Sequence, residues 1–323
     1  MRTVFGAVLA ATCLSIVGTS FAQTYPAKPI RVIIPVPPGS GIDVIGRIMT
    51  EKMSQNIGSA FVVDNISGAN SNIGAAAAAR SAPDGYTLLV STDALPSSAL
   101  TYANLSFDPM KDVQMFATIA RAVFILSVNP TLPAQTVEEF VALAKSRPGS
   151  IAYGTSGIGS PHHLAMEMFA QANGVELLHV PYKGSSDTVA ALLAGTIQSA
   201  MGLPSSFSPH VRSGKFRALA VTSAKRSAGF PDIPTLAERK VVPVEYESWW
   251  GMFAPRGTPA PILGRLHGEV NKVLQDKAYS DARLTKLGLE PFESASVAEA
   301  AAIVPSYYER LAPVIKKAGI KAE

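Results

Sequence analysis

Residues 32–47, VIIPVPPGSGIDVIGR, open as an apolar β-branched run, break on Pro35, Pro37 and Pro38, pass Gly39-Ser40-Gly41, and resume as a helix-like pattern carrying Asp43. A glycine turn from a buried strand into a helix is the junction of an α/β fold, and such junctions lie at the carboxyl ends of strands, where open sheets bind ligands. Glycine lets the backbone come close to a ligand, and a helix start offers unpaired N–H groups with a partial positive charge. The loop therefore suits a carboxylate without needing a cationic side chain. Asp43 would complement the helix dipole or accept a hydrogen bond from the loop. A plain capping loop has the same sequence signature.

The same rhythm continues outward from this stretch. Strands are expected at Ile30 to Pro35, Phe61 to Asp64 and Thr87 to Ser91, with helices near Val44 to Gln55 and Gly74 to Arg80, then a polar loop. Alanine is the best helix former and packs closely on a sheet, so the Ala75 to Ala79 run is structural. A second set begins near residue 122, with strands at 124–128, 151–154, 177–180, 199–202 and 218–222 and helices at 136–145, 161–173 and 186–194. Trp249 to Ala254 reads as a further strand, with Trp249 and Trp250 as core or hinge packing. Residues 261–275 read as a helix, and 297–317 as helix broken at Pro305 and Pro313. If this tail returns to the first unit, the chain crosses between two units twice, near 121–128 and 244–254.

The chain has 323 residues, 47% hydrophobic and 16% charged, enough for a substantial core in one or two domains. Its first residues, with Arg2, an apolar stretch and Ser20-Phe21-Ala22, fit a secretory leader cleaved after Ala22. The apolar stretch from Val4 to Val17 is too short for a spanning helix. The only cysteine, Cys13, lies in that leader, and Thr12 before it is a poor lipoprotein cleavage residue. The mature chain then has no thiol, which excludes disulfides, thiolate metal sites and cysteine catalysis. The formal charge is +4, and +3 without Arg2 (27 basic minus 24 acidic). Basic residues are scattered, so no nucleic-acid footprint exists.

Three loops follow strands and precede helices: Pro37 to Asp43, Ser91 to Ser98, and Gly154 to His163. A dinucleotide fingerprint would need glycine where Val44 stands, and there is no Gly-Lys-Ser/Thr phosphate loop. Around Ser156 the sequence approaches a nucleophile elbow, but Ile158 occupies the second glycine position, and neither a base nor a third member can be placed. His163 and Glu167, four apart on a helix, suit a metal in principle, though such a pair more often makes a local hydrogen bond. In Val180-Pro181-Tyr182-Lys183-Gly184, Tyr182 would wall a pocket and Lys183 would attract an acid, unless it is an ordinary surface lysine. Leu203-Pro204-Ser205 offers backbone and a hydroxyl.

With these loops in place, the chain resembles the extracytoplasmic substrate-binding receptors of the Bug family, which serve tripartite tricarboxylate transporters. The resemblance runs through Tyr25 to Arg31, Pro37-Pro38-Gly39 with Asp43 and Arg47, Asn72-Ile73-Gly74, Pro83 to Leu89, and Gly159-Ser160 with His163-Leu164. It continues through His179 to Gly184, Arg217 to Thr222, Pro231 to Thr235 and Ala254 to Pro259, in order along the mature chain. It implies a two-lobed α/β periplasmic-binding-protein fold of type II-like form, each lobe a mainly parallel sheet flanked by helices. Residues 23–123 and 250–323 would form one lobe and 124–249 the other. The implied function is periplasmic capture of a small organic or aromatic carboxylate by a monomer, without a cofactor, and delivery to membrane permease subunits. Family-like ligand contacts fall on Pro37, Pro38, Gly39, Ser40, Gly41, Ile42, Asp43, Ser71, Asn72 and Thr92 from one lobe. Ser156, Gly157, Ser160, His163, Tyr182, Leu203, Pro204 and Ser205 face them from the other. The chain departs from the family at Ser40, Ile42, Ile66-Ser67 and Asn70-Ser71; Ile42 would make the pocket more apolar, while Ser40 and Ser71 would add hydroxyl donors. Asp93 is expected beside the anion, where it would repel the ligand unless it met a donor.

Overall fold

The computed structural model describes residues 25–69, 71–227 and 230–321; the expected leader with its cleavage point and Cys13, and Asn70, lie outside them. The opening run forms β1 (Ile30–Ile34), buried everywhere except Arg31. After α1 (Gly41–Ile57), β2 (Phe61–Asn65) pairs with β1 in parallel, and after α2 (Asn72–Ala79), β3 (Thr87–Thr92) does so on the other side. The alanine helix lies close on the sheet: a Cβ at Gly74 would stand 2.6 Å from the Ile66 carbonyl oxygen and 2.9 Å from Pro35 Cα.

The chain then forms α3 (Ala94–Thr101) and β4 (Val113–Val123) and, after the single residue Phe124, enters a second sheet as β5 (Ile125–Val128). There α4 (Val137–Ser146), β6 (Ala152–Thr155), α5 (Pro161–Asn173), β7 (Leu178–Pro181), α6 (Ser185–Ala194), β8 (Ser199–Gly202), α7 (Pro204–Arg212) and β9 (Arg217–Val221) follow. It returns through Tyr246 to β10 (Glu247–Pro255), then α8 (Ala260–Gln275), α9 (Lys277–Arg283), β11 (Glu290–Pro291) and α10 (Val297–Ala318).

The six-stranded sheet has the order β11-β4-β10-β3-β1-β2, and the five-stranded sheet β7-β6-β8-β5-β9. Both sheets are mixed: β2-β1-β3 and β7-β6-β8 are parallel, whereas β10 joins β3 and β4, and β5 joins β8 and β9, antiparallel. The antiparallel pairs include the strands by which the chain passes between sheets.

Several expectations need correction. Most of the loop expected at Ser91 to Ser98 is the end of β3 and the start of α3, and the long β4 was not anticipated. Pro305 and Pro313 do not interrupt α10; Ala300, Val304, Tyr307, Leu311 and Ile315 form a buried stripe, and packing on β4, α3 and α5 outweighs the lost helix bonds. Neighbouring Trp249 and Trp250 point to opposite faces of β10, the first packing with Phe253 and Tyr307, the second joining the core around Met252 and Ala254.

Candidate functional site

The opening loop is braced by Asp43. Its carboxylate, 2% exposed as a residue, accepts the Gly39 N–H at 2.8 Å, the Asn65 amide at 2.8 Å and the Arg47 guanidinium at 2.9–3.0 Å. Burial alone would raise its pKa, but these donors hold it below the usual carboxylate range. Asp43 thus shapes the turn, as one of its two expected roles required. The first helical N–H with a backbone acceptor is that of Val44, to the Ser40 carbonyl, so those of Gly41, Ile42 and Asp43 precede the hydrogen-bonded ladder. Pro37, Pro38, Gly39 and Gly41 are exposed and Ile42 is half-buried. Ser40 differs from expectation, since its hydroxyl donates to the Pro37 carbonyl at 2.8 Å.

At the start of α2, Ser71 adopts φ 76°, a left-handed conformation that glycine reaches more easily than serine. Asn72 is 6% exposed, and its Nδ2 has no acceptor among the described residues. It lines a cavity of about 370 Å³ with Ile73, Tyr102 and Phe107. Thr92 is buried and accepts the Ala94 N–H at 3.2 Å.

Asp93 is the clearest correction. It has no exposed surface, and its carboxylate accepts from Ser248 at 2.7 Å, Tyr307 at 2.7 Å and Tyr246 at 3.2 Å. Burial pushes its pKa up to about 6 against the pull of these hydroxyls. It ties the end of β3 to the second crossover and to α10, and offers nothing to a ligand in this conformation.

In the second sheet, the 154–163 loop is fixed by buried side chains. Ser160 caps α5, accepting the His163 N–H at 3.4 Å, and Pro161 occupies the first turn, where its missing N–H costs nothing. His163 is 5% exposed; its Nδ1 accepts the Gly159 N–H at 3.1 Å, and its ring stacks on His179 with centroids 3.8 Å apart. His179 contacts Thr155 Oγ1 at 2.7 Å through Nε2 and stacks on Tyr153. Burial lowers the pKa of His163 to about 3, with His179 adding to the effect, and burial lowers that of His179 to about 4. Glu167 accepts from the Tyr153 hydroxyl at 2.5 Å, so His163 and Glu167 serve local packing. Among the described residues no group of three or more His, Cys, Asp or Glu is placed to hold a metal.

Ser156 and Gly157 are half-buried at the mouth of this loop, with Ile158 exposed beside them. Ser156 Oγ lies 2.9 Å from His162 Nδ1, a partner the sequence did not reveal. Among the described residues no carboxylate hydrogen-bonds His162 Nε2, so no third member of a hydrolytic triad is seen there, and burial pulls the ring's pKa down to about 4. Tyr182 is half-buried, near enough that a Cβ at Gly154 would stand 3.3 Å from its ring. Leu203 precedes α7, and Pro204 and Ser205 form its first turn, with Ser205 exposed.

The loops of the second sheet touch the first unit at α3 and near Gly288. A Cβ on Gly159 would stand 3.1 Å from Thr101 of α3, and one on Gly288 would stand 2.7 Å from Pro204. Behind them an aromatic chain joins the units: His162 lies edge-on to Phe124 (5.2 Å, 89°), Phe124 to Tyr246 (5.4 Å), and Tyr246 to Tyr307 (5.9 Å). Phe124 and Tyr246 stand at the two crossovers. Sequence reasoning located the crossovers but not these rings, which are joined only by the tertiary fold.

Residues 45–320 match the family model described as tripartite tricarboxylate transporter family receptor. Protein BugT of Bordetella pertussis is 33% identical over 302 residues, covering 93% of this chain and 92% of the relative. An R. palustris protein solved with adipate superposes with a TM-score of 0.81 at 33% identity, covering 92% of this chain and 99% of that one. MatC from Rhodopseudomonas palustris, solved with bound malate, gives 0.77 at 26% identity, covering 90% of this chain and 100% of that one. With two mixed sheets joined by two crossovers, and with these matches over most of its length, this chain belongs to the tripartite tricarboxylate transporter receptor family.

Proposed function

We propose that the protein is a periplasmic solute receptor that holds a small organic carboxylate between the two sets of loops and delivers it, chemically unchanged, to membrane permease subunits. The observation that carries this reading is the start of α1, where the N–H groups of Gly41, Ile42 and Asp43 precede the helical ladder at the end of an exposed glycine loop that follows β1. Adipate and malate in the two structural neighbours are the chemistry such a cradle takes. Pro37, Pro38, Gly39, Gly41 and Ile42, with Ser71 and Asn72, would line one side. Ser156, Gly157, Tyr182, Leu203, Pro204 and Ser205 would line the other, while Asp43, Thr92, Ser160 and His163 hold the loops in shape. A bound acid bridges both sides and thereby favours the closed arrangement. Residues 23–123 with 250–323, and 124–249, are the moving lobes. The working form is a monomer, exported through a leader cleaved after Ala22.

The test is a thermal-shift screen of residues 23–323 against mono-, di- and tricarboxylates, aromatic acids and amino acids, after unfolding and refolding to strip retained ligand. An acid at 100 times its Kd stabilises the fold by about 2.7 kcal/mol. A shift by one or a few related acids is expected. No shift by any acid, or steady turnover of an ester abolished in Ser156→Ala, would overturn the reading.

A further inference from the structure

We propose that His162 is a positioning residue of the ligand site, donating its Nδ1–H to Ser156 Oγ so that the serine hydroxyl is committed as a donor toward the bound anion. The inference rests on the carboxylate reading and adds to it a rule of selection.

Ser156 Oγ and His162 Nδ1 are 2.9 Å apart, and either atom can supply the proton. The other ring nitrogen decides between the two arrangements. Nε2 is buried and has no hydrogen-bond partner among the described residues, and the ring lies edge-on to Phe124, which has no exposed surface. A proton on Nε2 would be a buried N–H without an oxygen or nitrogen acceptor, whereas a bare Nε2 leaves only a lone pair unmatched; orphaned N–H groups are the rarer of the two in folded proteins. With the proton on Nδ1, the serine oxygen accepts from the ring and its own O–H is free to point away from it. A carboxylate can only accept, so this is also the arrangement an anion requires. A hydroxyl held in this way favours a carboxylate oxygen over an ammonium or amide N–H at the same place, because the ring has taken one of its two acceptor lone pairs while its single O–H stays free to donate. The ring, packed edge-on against the Phe124 crossover residue, keeps the serine proton from pointing back at Nδ1.

The test uses 15N-labelled protein spanning residues 23–323. Long-range 1H–15N correlations of the imidazole rings at pH 7, with His162 assigned by its loss in His162→Phe, are expected to show Nδ1 protonated and Nε2 bare. The opposite tautomer overturns the proposal whether or not any acid binds. In titrations with adipate, His162→Phe and Ser156→Ala should each weaken binding by about tenfold, the double variant should lose no more than either alone, and His162→Asn, whose amide can also donate to Ser156, should recover part of the loss. Wild-type affinity in His162→Phe, or additive losses in the double variant, would overturn it. Should adipate and the whole acid panel fail to bind the wild type, the carboxylate reading falls, and the tautomer still decides which way Ser156 points.

Discussion

Lowering the pH from 7 to 5 should destabilise the fold sharply through three neutral histidines beneath the 154–163 loop. His162, His163 and His179 have folded pKa values pulled by burial to about 4, 3 and 4. In the unfolded chain each titrates near 6.5. Between these values the unfolded chain binds the extra protons, so stability falls as pH falls. For the buried His163 this costs about 1.8 kcal/mol between pH 7 and pH 5; His162 and His179 are half-buried, so solvent screening cuts each to about 1 kcal/mol, and the three together cost about 4 kcal/mol. Asp93 acts in the opposite direction, because its folded pKa, raised to about 6 by burial, lets the native state take up a proton first. That returns about 1.3 kcal/mol, for a net loss of about 2.5 kcal/mol. The decisive variant is His163→Asn, whose Oδ1 can still accept the Gly159 N–H but whose side chain does not titrate. Urea denaturation at the two pH values should show its pH-dependent loss smaller than that of the wild type by about 1.8 kcal/mol. An unchanged difference between the two pH values in His163→Asn would refute the claim that this ring is buried neutral.

Asp43→Ala removes the acceptor for Gly39, Asn65 and Arg47 together and should cost about 2–4 kcal/mol in denaturant unfolding; a loss below about 1 kcal/mol would mean that the loop holds its shape without the carboxylate. Ser71→Gly relieves the left-handed conformation at φ 76° and should stabilise the protein by about 0.5–1 kcal/mol, read as a rise in melting temperature; a fall would show that the hydroxyl matters more than the strain. Tyr307→Phe removes one of three hydroxyls from Asp93 and raises its pKa further, so a penalty of about 1–2 kcal/mol at pH 7 should shrink at pH 5, where the acid is protonated. An equal penalty at both pH values would argue against ionised Asp93.

The parts of the fold visible in the sequence were those with strong local patterns. β1 is apolar and β-branched at every position but Arg31, α4 carries a threonine cap followed by acidic residues, and α5 opens on Ser160-Pro161. Helix α3 was read as loop because ALPSSALT has a proline and two serines and no clear period; Pro96 falls in the first turn, where it is tolerated. The pattern of β4 is ambiguous, and its strand identity comes from its partner β10, more than a hundred residues away. The continuity of α10 through two prolines is likewise a tertiary effect. At the site, glycine, proline and capping residues marked the 37–43 and 154–163 loops as local backbone features, but not the 91–98 segment, which is strand and helix. What local sequence did not show was which polar groups satisfy one another across the fold. Asp93 meets hydroxyls 153, 155 and 214 positions away, and no local pattern distinguishes such a buried carboxylate from one facing a ligand.

The strand order of the six-stranded sheet also constrains the timing of folding. Its inner strand β10 lies between β3 and β4, yet it is made only after the whole five-stranded sheet. Until Glu247–Pro255 has emerged, β3 and β4 have no strand between them, and the face that α10 covers stays open. The first third of the chain therefore cannot complete its own sheet during synthesis, and folding of that half waits for the C-terminal quarter. For a polypeptide threaded through a membrane channel before it folds, this delay is an advantage: the segment that enters first is also the one least able to lock itself shut too early.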